Sequence, residues 1–123
     1  DENNIILTDV IRLQQILNNL LSNAFKFTVK GSISFGYEIV NNNGSSYYQF
    51  FVADTGIGIE EKNLSLIFKE YFRGYNAVSK YDKGTGLGLS IARKIARLHH
   101  TDVLVDSEIG KGSTFICFCI IWY

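Results

Sequence analysis

The chain reads as an α+β two-layer sandwich, and two observations predict it. Helical and strand-like segments are interspersed along the sequence, and the strands are mostly joined by short turns of hairpin type. Two stretches carry apolar residues at helical spacing, with Leu13, Leu17, Leu20 and Ala24 in one and Leu87, Ile91, Ile95 and Leu98 in the other.

The elements follow in order. Asn3–Leu7 suits a short edge strand. A helix is expected from Thr8 or Asp9, either of which can cap it, to about Phe27. Ser32–Val40 alternates, with Ile33, Phe35, Tyr37 and Ile39 on one face. The turn chemistry of Asn41–Ser46 leads into a return strand over Tyr47–Ala53. Glu60–Phe72 is expected to form a short helix through Leu64, Ile67, Phe68 and Tyr71. Arg73–Gly84 is polar, bounded by glycines and without period, which predicts a mobile loop. A second strong helix is expected from about Leu87 to His99. The strands Val103–Ser107 and Ser113–Trp122 close the chain around the turn Ile109–Gly112.

Composition narrows the function. The 123 residues make one ordinary domain, with 46% hydrophobic and 20% charged residues. Twelve basic and twelve acidic side chains cancel, which argues against nucleic-acid binding by bulk charge. The longest apolar run, Phe115–Tyr123, is shorter than the ~20 residues of a bilayer span. No signal-peptide pattern opens the chain. There is no methionine, so the chain is expected to be a domain of a longer protein. Cys117 and Cys119 lie two apart on a strand, without the spacing of a zinc site or a disulfide scaffold, and suit the core of a protein in a reducing compartment.

Three segments could carry chemistry. Asn19, Asn23 and Lys26 share one side of the first helix, away from its leucines. Such a face suits plain solvation, or a site in which amide oxygens meet Mg²⁺ and a lysine meets phosphate. Asp54-Thr55-Gly56-Ile57-Gly58-Ile59 ends a strand. It suits a simple turn, or a pocket where a carboxylate accepts an amino hydrogen and glycines expose backbone to a ligand. Gly84-Thr85-Gly86-Leu87-Gly88-Leu89 opens the second helix, where free N–H groups favour phosphate. It matches neither the dinucleotide fingerprint nor the P-loop.

In this order the segments resemble the ATP-binding catalytic domain of two-component sensor histidine kinases, in the superfamily shared with gyrase, Hsp90 and MutL. RLQQILNNLLSNAFKFT resembles the N box, DTGIGI the G1 box, IFKEYFR the F box and GTGLGLSIARKIA the G2 box. SEIGKGSTF resembles the closing hairpin. The resemblance covers nearly all of residues 1–123 as a single domain. It implies a Bergerat-type fold, a mixed, mostly antiparallel sheet covered on one face by helices, and an ATP lid at about 60–85.

The resemblance also implies roles. Asn23 would bind Mg²⁺ with the nucleotide phosphates, assisted by Asn19, and Lys26 would contact phosphate. Phe27 would pack near adenine, and Asp54 would accept its amino hydrogen. Gly56, Gly58 and Ile59 would receive the base. Arg73 would reach the γ-phosphate, while Gly84, Thr85, Gly86, Leu87 and Gly88 would wrap the phosphates. Phe68 would anchor the lid or simply pack in the core. The lid is expected to order on the γ-phosphate.

ATP-hydrolysing relatives carry a general-base glutamate where Asn19 stands, so intrinsic hydrolysis is expected to be negligible. The γ-phosphoryl would instead pass to a histidine on a separate helical dimerisation domain, and then to a response-regulator receiver domain. His99 and His100 stand where many family members place a glycine pair, on the wrong element for that acceptor. The resemblance implies a cytoplasmic, monomeric isolated domain with no nucleic-acid partner and no membrane insertion. The other readings are a nucleotide-binding sensor or scaffold without phosphotransfer, and a hydrolytic ATPase of the same superfamily.

Overall fold

The computed structural model describes residues 9–70 and 88–120. Helix α1 spans Val10–Phe27, and Asp9 caps it by accepting the Arg12 N–H at 3.1 Å. Strands β1 (Ile33–Asn42) and β2 (Ser45–Asp54) follow, then a single 3₁₀ turn at Glu61–Asn63. Helix α2 (Gly88–Leu98) precedes β3 (Val103–Glu108) and β4 (Gly112–Ile120). The sheet has the order β1-β2-β4-β3, and all its ladders among the described residues are antiparallel. The expected strand at Asn3–Leu7 and the Arg73–Gly84 loop lie outside the described residues.

The β1–β2 hairpin is tighter than its sequence predicts. Asn42 pairs with Ser45, leaving only Asn43 and Gly44 in the turn, both at positive φ (51° and 81°). That is the twist a two-residue hairpin needs.

Both helices lie on one face of the sheet. Ile16, Leu20 and Ala24 of α1 meet Leu89, Ala92, Ile95 and Ala96 of α2 over Val52, Val103, Phe115 and Cys117. Burial pushes the Cys117 thiol up to about 12, with Cys119 adding to the rise, so it is a core residue without thiolate reactivity.

The buried stripes are turned from the expected ones. In α1 the buried row is Ile16, Leu20, Ala24 and Phe27, while Leu13 and Leu17 are half-buried. In α2 it is Leu89, Ser90, Ala92, Ile95 and Ala96, and Leu98 is exposed. Small side chains cause the second shift. Ala92 and Ala96 are fully buried and let the two helices approach closely. Strand β1 lies at the sheet edge, beyond the helices. Its Phe35, Tyr37 and Ile39 therefore share a face with core residues yet remain exposed.

Over the described part of the expected Glu60–Phe72 helix, residues 60–70, no α-helix is formed. After the 3₁₀ turn the chain continues as irregular turns through residue 68, with bonds such as Leu66 N–H to the Asn63 carbonyl (2.9 Å) and Lys69 N–H to that of Leu66 (2.9 Å). Tight turns of this kind still deliver Ile67 to the core and Leu64 and Phe68 to its margin.

Candidate functional site

Asp54 is the last residue of β2, paired with Ser113 of β4, which in turn pairs with Ser107 of β3. The three therefore form one row across three strands, on the face that also carries Val52 and Phe115. Beyond Asp54 the chain turns sharply. Asp54 Oδ1 accepts the Gly56 N–H at 2.9 Å. Burial raises the Asp54 pKa, and the N–H groups of Gly56 and Ser113 oppose that rise.

This turn is held from two sides. The Ile57 carbonyl accepts the Gly110 N–H at 2.9 Å, and the Ile59 N–H donates to Ser107 Oγ at 2.8 Å. Both glycines of the motif are required by neighbouring backbone. A Cβ on Gly56 would lie 2.2 Å from the Phe27 carbonyl oxygen. One on Gly58, which has φ +74°, would lie 2.1 Å from the Glu108 carbonyl oxygen. Their bareness docks the turn against α1 on one side and the β3–β4 turn on the other.

A cavity opens above Asp54, lined by Asn23, Phe27, Asp54, Ile57, Gly58, Ile59 and Ser113. One wall is apolar, and the floor is a carboxylate. Asn23 adds an amide from α1. The cavity is small, about 10 Å³, and its lining offers a carboxylate acceptor to a donor group. A roomier groove between α1 and the β1–β2 edge, lined by Leu17, Leu21, Phe35, Tyr37 and Phe50 among others, offers no charged group.

The structure thus brings together Asn23, Phe27, Asp54, Gly58 and Ile59. Asn19 lies one helical turn before Asn23, half-buried, and Lys26 is exposed near the end of α1. Gly88 opens α2, and among the described residues outside its own helix turn nothing lies within 4 Å of where its Cβ would stand. Arg73, Gly84, Thr85, Gly86 and Leu87 lie outside the described residues. Phe68 packs edge-on to Phe115 (centroids 6.4 Å apart), with the Arg93 guanidinium 4.3 Å from its ring centre. Arg93 also reaches both carboxylate oxygens of Asp102.

Ser113 was missed by sequence reasoning. A serine in a strand carries no signal of its own, and only the strand register brings it beside Asp54. Among the described residues no group of three His, Cys, Asp or Glu side chains could hold a metal. Nor is any described helix long and apolar enough to cross a membrane.

Comparison with known proteins gives this geometry a family. Residues 8–120 match the model of the histidine kinase-, DNA gyrase B-, and HSP90-like ATPases. The chain is 40% identical over 117 residues to hybrid signal transduction histidine kinase L of Dictyostelium discoideum, covering 93% of this chain and 7% of that protein. It is 43% identical over 107 residues to the sensor histidine kinase RcsC of Escherichia coli, covering 87% of this chain and 11% of RcsC. The chain therefore spans only a small part of these curated relatives. Among solved structures, full-length ShkA in complex with AMPPNP superimposes with a TM-score of 0.79 at 30% identity, over 96% of this chain and 23% of that one. The mycobacterial sensor histidine kinase MprB shares the fold, with a TM-score of 0.72 at 22% identity over 94% of this chain and 74% of its own. The chain belongs to the histidine kinase-, DNA gyrase B- and HSP90-like ATPase family, and is the type of ATP-binding domain found in sensor histidine kinases.

Proposed function

We propose that this chain binds Mg-ATP and serves as the phosphoryl-donating half of a two-component sensor kinase. The observation that carries this reading is the shared cavity of Asp54 and Asn23, which sets a carboxylate acceptor and a helix-borne amide around one apolar wall. Asp54 would accept the adenine amino hydrogen, with Phe27 and Ile59 packing beside the base. Asn23, Asn19 and Lys26 follow one side of α1 and would meet the phosphates.

The α1 asparagines fit a magnesium ion, because Mg²⁺ keeps most of its shell as water and phosphate oxygen and needs few protein ligands. When bound, it would neutralise phosphate charge. The protein would supply position and electrostatics to the γ-phosphoryl transfer. The acceptor would be a histidine on a helical dimerisation domain outside this chain, with a receiver domain downstream. An amide at Asn19 has no basicity, so the reading includes negligible hydrolysis by the chain alone. Arg73 and the glycines from Gly84 to Gly88 complete the proposed phosphate end.

Calorimetric titration with ADP and with AMPPNP, with and without Mg²⁺, tests this. Asp54→Asn should weaken both nucleotides by about tenfold or more. Asn23→Ala should reduce the Mg²⁺ dependence. Unchanged affinity in Asp54→Asn, or no binding to the unmodified chain, would refute the reading.

A further inference from the structure

The Ser107 hydroxyl has three close polar partners and only one proton to give. The Ile59 N–H donates to it at 2.8 Å. Its own proton reaches the Gly112 carbonyl at 3.0 Å. Ser113 Oγ stands 2.7 Å away, a contact in which either hydroxyl could donate. A serine oxygen offers one proton and two lone pairs. All three contacts can be hydrogen bonds in one arrangement only. Ser107 accepts from Ile59 and from Ser113, and donates to Gly112. The Ser113 proton is then committed to Ser107, away from the cavity that Ser113 lines with Asp54.

We infer that Ser107 is a specificity-determining positioning residue. By taking the Ser113 proton it makes Ser113 an obligate acceptor, so the cavity presents two acceptors, Asp54 and Ser113, to the buried edge of a ligand. This rests on the nucleotide reading above and deepens it. A purine with a 6-amino group offers a donor to that edge. A 6-oxo purine offers there one donor, its N1–H, beside an acceptor at O6, so one of the two acceptors can be paired while O6 faces an acceptor with no proton between them. Ser107 itself lies on β3, paired to Ser113 from the side away from Asp54, and acts only through its neighbour.

The test compares ADP with inosine diphosphate, which differ in the 6-substituent and in the proton on N1, by calorimetry on the same chain. In Ser107→Ala the Ser113 hydroxyl is released to turn and donate, so the ADP-to-IDP affinity ratio should fall by about fivefold or more. Ser107→Thr keeps the hydroxyl and should hold the ratio within about twofold. A merely structural role would lower both affinities together and leave the ratio intact, and that result would overturn the inference. Should the alanine variant not fold, Ser107→Cys fills the same space with a poor acceptor, and an unchanged ratio there overturns it equally. Failure of the unmodified chain to bind ADP would refute the underlying nucleotide reading instead.

Discussion

Gly58→Ala should be among the most damaging single-methyl additions to this domain. The new Cβ would stand 2.1 Å from the Glu108 carbonyl oxygen, 2.6 Å from its carbon and 2.9 Å from Ile109 Cα. All three are backbone atoms, and carbon needs about 3.5 Å. Relief therefore requires the turn after β2 to lift by roughly 1 Å from the β3–β4 turn. That movement breaks the two latches at the same place, Gly110 N–H to the Ile57 carbonyl and Ile59 N–H to Ser107 Oγ. Each is worth about 1 kcal/mol net. The alanine must also hold φ near +74°, at a cost of about 1 kcal/mol or more. The sum is about 3 kcal/mol, or a Tm lower by roughly 10–15 °C for a domain of this size. Gly110→Ala is the control. Its φ is +81° but nothing lies within 4 Å of its Cβ, so it carries the conformational cost alone. Urea and thermal unfolding of both variants decide the matter. A Gly58→Ala cost no larger than that of Gly110→Ala would refute the docking argument.

His100 occupies the left-handed position that ends α2, at φ 61°. His100 N–H bonds the Arg97 carbonyl and Thr101 N–H that of Ala96, the pattern of a Schellman cap. His100→Gly should raise stability by about 0.5 kcal/mol, the relief of strain less the entropy of a freer unfolded chain, as read by urea midpoint. Asp102 gives a pH signature. Burial acts to raise its pKa, but hydrogen bonds from Arg93, the Val103 N–H and Arg97 outweigh this and hold the carboxyl below its ordinary 3.8. Its stabilisation is thus present above 3.8 and lost as pH falls through the lower folded value. Asp102→Asn should cost about 1 kcal/mol near neutrality for this partly exposed cluster, with the deficit shrinking on acidification in urea titrations at several pH values.

Local chemistry in the sequence was enough to place α1, α2 and the two hairpins. Asp9 caps α1 as its residue type requires, and Asn43-Gly44 forms a hairpin turn from its own preferences. The phase of α1 was not available that way. Both the Leu13–Leu17 row and the Ile16–Leu20 row are apolar, so periodicity fixes the pitch but not which row faces α2. The same limit made Glu60–Phe72 resemble a helix, since the repeated tight turns seen over residues 61–70 satisfy similar spacing. Within the site, Asp54, Asn23 and the glycines stood out because each is an unusual type for its place. Ser107 and Ser113 are ordinary strand residues. Their meaning comes from pairings between strands far apart in the chain.

The alanine seam between the helices has a reach beyond packing. Ala24 is buried in that seam, and its chain neighbour Asn23 lines the cavity. Asn23 is therefore carried by a helix whose seat is set on its other side by Ala92 and Ala96. Any added bulk in the seam would tilt α1 and carry its asparagine away from Asp54. The domain could thus lose its site without any change to a cavity-lining residue, and the alanines of α2 would act as the shim that sets its width.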